Sequence, residues 1–429
     1  MAMEQRLRAG YGDSILTPEL GAGLVGYGPY LDRNAEVVLD DLKARVVAVE
    51  DGRTCVVVIV CDLIGFTIDT SDAIRDRIAA DLGVPRSHVM LSCTHTHSGP
   101  ATLPFRAMAA VDSGYLEWAS DSILSAVRRA RADLKPADVA WARTVPEPIG
   151  HNRRRGTFEP IDPFLRTAAF VREDRTLHIC AYSCHPVTLG ASKAISADWP
   201  GATARAFELS GDRALVLQGY CGDIDPVTNR NAWGQGTIED LNLMGHIICT
   251  RARKAAARAP RLGDAAVAAY EERIELPLDV PASSEALDAH REWWAGRMSD
   301  GRNARLIAEW LSDAQANRER AQTHPVTSDV PVAGLRIGGG MLVGLPGEVF
   351  SGYAEVIGTE GAVSAPVGFC NGDVGYIPTA DAYADLGDYA CYLAPKYYGI
   401  FAFRPDIETT VREALVRASR ALAEDAEAV

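Results

Sequence analysis

Along the chain, β-branched apolar runs alternate with stretches in which apolar residues recur every three or four positions. Residues 36–49 and 54–64 are dense in Val and Ile, and Asp51-Gly52 between them supplies turn chemistry. The second run is nearly continuous rather than alternating, the pattern of a strand covered on both faces. These segments predict a strand, a turn and a buried strand. Ile74, Ile78 and Leu82 fall on one face of a predicted helix over 69–82, which Gly83 and Pro85 stop. Further strands are predicted at 87–93, 166–171, 176–184, 213–218 and 334–344. Helices are predicted at about 114–133, 201–209 and 238–257. This order does not repeat a clean β-α-β register, so the expected class is α/β, with mixed β-sheets flanked by helices. Residues 283–322 differ in kind. They are rich in Ala, Arg and Glu, with Trp293, Trp294, Leu306, Ile307, Trp310 and Leu311 along them, and predict a helical insertion of one or two amphipathic helices. With no internal repeat, low-complexity tract or linker, residues 1–429 are expected to form a single domain containing that insertion.

Composition narrows the function classes. Apolar residues make up 47% and charged residues 23%, the balance of a globular protein with a sizeable core. The formal net charge of −14 argues against partners such as nucleic acid or anionic membrane. Nine cysteines form no C-x-x-C pair and are expected to be buried free thiols of a reducing compartment. The first residues contain no apolar signal core, and no apolar stretch reaches the roughly 20 residues that span a bilayer. A cytoplasmic protein without stable membrane association is therefore expected. Homo-oligomer formation stays open.

Several segments carry candidate chemistry. Thr94-His95-Thr96-His97-Ser98-Gly99-Pro100 follows a predicted strand. Side chains two apart on extended backbone share a face, so both imidazoles can approach one site. Cys184-His185-Pro186 repeats the order of apolar strand, His and Pro, and the proline restricts the backbone before it. Leu345-Pro346-Gly347-Glu348 is a turn leading to an acid that is expected to open a helix, where a carboxylate also complements the helix dipole. A Gly-rich run, residues 368–375, leads to Tyr376. Another Gly-punctuated loop carries Asp223 and Asp225, which either bind a cation, act as acid and base, or cap turns. Asp198 is a candidate to orient a histidine ring or to cap a turn, and Asp62 is a further candidate for the same support. The glycines of residues 21–28 do not fit a dinucleotide fingerprint.

In their order, these motifs resemble the neutral/alkaline, non-lysosomal ceramidase family. The resemblance spans about residues 8–410. It also takes in Gly10-Tyr11-Gly12-Asp13, Thr17-Pro18, Gly26-Tyr27-Gly28, Asn152-Arg153, Gly222-Asp223-Ile224-Asp225-Pro226 and Tyr376-Ile377-Pro378-Thr379. It implies a ceramidase-like catalytic domain with Zn2+ held by His95, His185, Glu348 and Tyr376. It also implies that His97 and Arg153 face the substrate carbonyl. Two departures bear on the substrate. Asp225 stands where ceramide-cleaving members carry Ser in G-D-x-S-P. The chain also ends at residue 429, shortly after Arg404-Pro405, where those members continue into a β-sandwich. Asp225 is expected to serve as general acid or base, as support for a neighbouring side chain, or as anchor for a cationic substrate group. The resulting expectation is a zinc-dependent amidohydrolase that cleaves the C–N bond of a small soluble N-acyl or lactam-type substrate by metal-activated water. The alternatives are a zinc esterase or lactonase, a true ceramidase, and a non-catalytic metal-binding relative.

Overall fold

The computed structural model describes residues 6–424 apart from Pro29, Asp264, residues 297–300, Arg302 and residues 359–361. Three larger sheets form its frame. The first has the strand order Val89–Cys93, Cys55–Cys61, Lys43–Glu50, Arg8–Ile15, Lys135–Pro136. The second has the order Arg213–Gln218, Thr176–Tyr182, Leu165–Val171, Asp138–Thr144. The third has the order Val267–Pro277, Val326–Ile337, Gly340–Gly344, Val363–Val367. Each is mixed, with one parallel pair: Cys55–Cys61 with Val89–Cys93, Thr176–Tyr182 with Arg213–Gln218, and Gly340–Gly344 with Val363–Val367. The first two pairs are joined through the helices Ile68–Leu82 and Asp198–Leu209. The third is joined through a 3-10 segment, Ser351–Ile357.

The sheets meet face to face, which explains the continuous apolar runs. Val47, Val49, Val56, Val58 and Val60 point into a core shared with Phe170, Ile179 and Leu215 of the second sheet and Leu335, Leu342 and Val367 of the third. Their neighbours Val46, Ala48, Val57 and Ile59 point the other way, toward Ile74 and Ile78 of one helix and Ile123 and Ala126 of helix Ser113–Ala132. Both faces of these strands are dry, so neither set of alternate positions is polar. Each fully buried Val or Ile contributes roughly 1.5–3 kcal/mol. The outer face of the third sheet, with Ile274, Leu276, Val330 and Val332, packs on Val411 and Leu415 of helix Ile407–Glu424 and on Trp310.

The segment predicted as an insertion is a helical pair, Ser284–Ala295 and Ala304–Thr323, between the antiparallel neighbours Val267–Pro277 and Val326–Ile337. Ser283 caps the first helix by accepting from the Ala286 amide. Residues 334–344 hold strands as expected, the end of Val326–Ile337 and Gly340–Gly344, joined by a turn at Gly338, whose φ is 57°. Two local expectations need correction. Residues 36–49 are two strands, Val37–Val38 and Lys43–Glu50, because Asp40 turns the chain by accepting from Ser196 Oγ and the Ala197 amide. Glu348 does not open a helix; it begins a two-residue strand, Glu348–Val349, paired with Tyr376–Ile377. All nine cysteines are buried and free, and no described helix is long and apolar enough to cross a membrane.

Candidate active site

The carboxyl ends of the three parallel pairs converge, the position at which ligands collect in open parallel sheets. His95 follows Val89–Cys93 and Ile64 follows Cys55–Cys61. His185 follows Thr176–Tyr182, and Cys221 to Asp225 follow Arg213–Gln218. Glu348 follows Gly340–Gly344, and Phe369 to Tyr376 follow Val363–Val367. One loop ties the three edges together. The Gly368 amide donates to Gln218 O (2.9 Å), Ser92 Oγ donates to Gly368 O (2.9 Å), and the Phe369 amide donates to Gly347 O (3.2 Å). Asn371 donates its amide to Leu91 O (2.6 Å) and accepts from the Leu91 amide at Oδ1 (2.9 Å). Those bonds hold Asn371 at φ 59°, a left-handed conformation that Asn tolerates better than most residues.

The two outer histidines are fixed in the same way. His95 Nδ1 donates to Ile64 O (2.6 Å), and His185 Nδ1 donates to Cys221 O (2.7 Å). A ring that donates from Nδ1 turns Nε2 inward; at His185 that nitrogen carries a proton to Glu348, and losing the proton would leave a lone pair there for a cation. Both Nε2 atoms face one carboxylate oxygen: Glu348 Oε2 lies 2.9 Å from His185 Nε2 and 3.7 Å from His95 Nε2. Tyr398 donates its hydroxyl to the other oxygen, Oε1, at 3.0 Å. Phe369 stacks on the His95 ring at 4.0 Å between centroids.

His97 approaches from the same loop, its ring 4.8 Å from that of His95, but not through simple extended alternation. His95 has φ 65°, so the backbone bends there into the left-handed region. Such strain persists where surrounding contacts over-determine it, here the Leu63 carbonyl on the His95 amide and Phe369 on its ring. Both ring nitrogens of His97 are shielded from solvent and have no partner among the described residues. Tyr27 meets the ring edge-on at 5.0 Å, and Gly26 (φ 108°) lies so close that a Cβ would sit 2.5 Å from His97 Cγ. The ligand-type nitrogens of His95, His97 and His185 all lie within 4.8 Å of one another.

Arg153 closes the other side. It follows the short strand Gly150–Asn152, which pairs with Ile224–Pro226, and its amide donates to Asp223 O (2.9 Å). Nη2 donates to the Tyr376 hydroxyl (2.6 Å) and to Gly222 O (2.7 Å), while Nη1 lies 3.3 Å from Asp225 Oδ1. Asp225 thus faces the arginine. Asp223 is engaged elsewhere, accepting from the Ser351 amide (2.7 Å), Ser351 Oγ (3.0 Å) and Asn152 Nδ2 (3.3 Å). Asp198 accepts from the Thr188 and Trp199 amides and caps turns. Asp62 accepts from Arg45 Nη1 (2.6 Å) and the Lys43 amide. Backbone carbonyls, rather than either of these acids, orient the imidazoles.

The charge states follow from burial and contact. Burial, partly opposed by Glu348, lowers His95 to about 3, and it drives His97 well below the ordinary histidine value. Burial also opposes a charged His185, but contacts with Cys221 and Glu348 outweigh it and raise the ring to about 10. Glu348 is lowered to about 2 against its burial by the hydrogen bond from His185, by the neighbouring His95 and His185 rings and by Arg153. Burial raises the Tyr376 phenol, with Arg153 pulling the other way. Asp373, buried beside Glu348, is pushed well above the carboxylate range.

These groups open onto a cavity of about 570 Å³, lined by His95, His97, Arg153, Asp225, Glu348 and Tyr376, with Tyr27, Tyr30, Trp233, Tyr389 and Tyr398 as aromatic walls. His185 lies fully buried behind Glu348. Sequence reasoning missed Tyr398, Asp373 and Phe369. The last two sit in the Gly-rich run before Tyr376, whose glycine density was the signal available. Gly222 also matters. A Cβ there would lie 2.2 Å from the Glu348 carbonyl oxygen, and the Gly222 amide donates to Val349 O (2.7 Å). Gly222→Ala is expected to destabilise the fold by about 1–3 kcal/mol, as overpacking does. It should also displace Glu348; thermal melting together with metal titration checks both effects.

No family model and no curated protein sequence matches the chain. Among solved structures, a crystal structure of neutral ceramidase from Pseudomonas aeruginosa superposes with a TM-score of 0.73 at 19% identity, covering 99% of this chain and 75% of that one. A ceramidase complexed with C2 superposes with a TM-score of 0.75 at 18% identity, covering 98% of this chain and 76% of that one. The chain has a ceramidase-like α/β fold.

Proposed function

We propose that this protein is a metal-dependent amidohydrolase cleaving the C–N bond of a small soluble N-acyl or lactam-type substrate, with zinc held by His95, His185, Glu348 and Tyr376. One observation carries the reading. Two imidazole Nε2 atoms, aimed by backbone carbonyls on the opposite ring nitrogens, converge on one carboxylate oxygen at 2.9 and 3.7 Å, and a cation that displaced the proton shared by His185 and Glu348 would find three ligand atoms already in place. The donor set of imidazoles, carboxylate and phenol suits zinc. The fold shared with a ceramidase, an enzyme named for an N-acylated substrate, favours an amide over an ester.

When bound, zinc supplies Lewis acidity and acidified water. The chain's own groups do the rest. Arg153 presents a fixed guanidinium to the cavity, where it stabilises negative charge developing on the carbonyl oxygen. The ring nitrogens of His97 have no hydrogen-bond partner among the described residues and His97 lines the cavity, so one nitrogen can bind the carbonyl oxygen or carry a proton to the leaving nitrogen. Asp225 holds Arg153 against the cavity wall. The aromatic walls present apolar surface to the part of the substrate beside the reacting bond. A second reading rests on the short spacing of His95, His97 and His185 and makes His97 a third imidazole ligand in place of Tyr376. The test is metal analysis of the purified protein, followed by turnover of paired amide and ester substrates with matched acyl groups. One zinc per chain and turnover of amides support the proposal. A protein that binds no divalent metal, or that cleaves only the esters, overturns it.

A further inference from the structure

Lys396 is a buried cationic side chain that the site chemistry does not use. It is 3% exposed and forms no ion pair among the described residues. Its Nζ sits 3.6 Å from the centroid of the Trp294 ring and 5.3 Å from that of Trp310, and it donates to Tyr392 O at 2.8 Å. A lone buried ammonium is costly, and burial pulls it well below the ordinary lysine value. A methionine would fill the same space without that cost. What the lysine adds is direction: a hydrogen bond one turn back in its own helical run fixes Nζ, which meets the ring faces of another segment.

The two indoles belong to the helical insertion, Trp294 to Ser284–Ala295 and Trp310 to Ala304–Thr323. Lys396 belongs to the short helix Ala394–Tyr397. The next residue after that helix is Tyr398, which donates to Glu348 Oε1 (3.0 Å) and lies 3.3 Å from Asp373 Oδ2. Tyr397 repeats the link between insertion and site, donating to Asn303 Oδ1 (3.2 Å) while its carbonyl accepts from the Arg106 amide (2.8 Å). A continuous path therefore runs from the insertion, through Lys396 and its helix, to the hydroxyl that fixes Glu348.

We propose that Lys396 is a positioning residue: clamped by Trp294 and Trp310 of the helical insertion, it sets the place of Tyr398 and, through it, the orientation of the Glu348 carboxylate. The helical pair is thereby a working part of the site. This rests on the reading of Glu348 as a zinc ligand, and two measurements keep the ideas separable.

The first is a zinc titration of folded full-length variants, with circular dichroism and melting recorded for each. Lys396→Met and Tyr398→Phe are each expected to weaken zinc about tenfold, the lower end for loss of a group that orients a ligand. The double variant should fall no more than about twofold beyond either single, because both act through one bond. Trp294→Leu should reproduce the loss, and Trp294→Phe, which keeps a ring face, should largely restore wild-type affinity. Unchanged affinity in folded Lys396→Met, or losses that multiply in the double variant, overturns the proposal. The second measurement is a crystal structure of metal-free Lys396→Met. Tyr398 is expected to have left Glu348; a retained hydrogen bond overturns the proposal even where the wild-type protein binds no zinc, an outcome that would separately defeat the metal reading.

Discussion

His185→Ala is expected to lose zinc and hydrolytic activity together. His185 is fully buried, and its Nε2 lies 2.9 Å from Glu348 Oε2. Removing it takes away a ligand and also leaves the carboxylate in a buried pocket without its strongest partner, a change that typically costs about 3–5 kcal/mol. The fall in zinc affinity should exceed the roughly 10–100-fold that follows loss of a group that merely orients a ligand. Melting supplies a readout independent of substrate. Ligand at about 1,000 times its dissociation constant stabilises a protein by about 4 kcal/mol. Zinc should therefore raise the melting temperature of the wild type and leave that of His185→Ala nearly unchanged. His95→Ala should behave alike, since its Nε2 faces the same oxygen at 3.7 Å. His97→Ala discriminates between the two ligand sets. It should keep zinc and lose rate where Tyr376 is the fourth ligand, and lose zinc where three imidazoles bind it. Full metal content in both His95→Ala and His185→Ala would sink the assignment.

How far the sequence carried depends on whether the deciding contact was local. The strand over 54–64 and the helix over 69–82 emerge as Cys55–Cys61 and Ile68–Leu82, because apolar density and the Gly83 stop act within a few residues. The insertion was legible for the same reason, through Trp294, Leu306, Ile307 and Trp310, all buried. The site motifs could be placed at strand ends from their apolar flanks alone. Their convergence could not, since nothing within the Thr94–Pro100 segment records that Glu348 lies against it; the ordered resemblance to a family supplied that expectation. Where the sequence misled, tertiary contacts had overridden local preference. Glu348 looked like a helix opener, but Tyr376–Ile377 claims it for a strand. The H-x-H segment looked extended, but the Leu63 carbonyl and the Phe369 ring hold His95 left-handed. Tyr398 carried no signal, because its role comes from a partner 50 residues upstream.

Arg153→Ala should separate binding of the metal from the chemistry. Its guanidinium spans three groups: the Tyr376 hydroxyl at 2.6 Å, Gly222 O at 2.7 Å and Asp225 at 3.3 Å. That fork leaves the charge at the cavity wall, fixed before substrate arrives, which is the arrangement that stabilises charge developing on an oxygen. Losing one such donor costs about 10²–10³ in kcat. The loss should appear in kcat and in kcat/KM alike, as for an interaction made chiefly in the transition state. Zinc should stay bound, because three of the four proposed ligands do not touch the arginine, and only Tyr376 loses a partner. Arg153→Lys should recover little, since an ammonium cannot reproduce a planar fork that meets three acceptors at once. Asp225→Asn should fall between wild type and Arg153→Ala, its effect passing through a guanidinium that is less firmly held. If Arg153→Ala releases zinc in step with its loss of rate, the arginine acts through Tyr376 as a support for the metal, and its assignment to the substrate carbonyl is wrong.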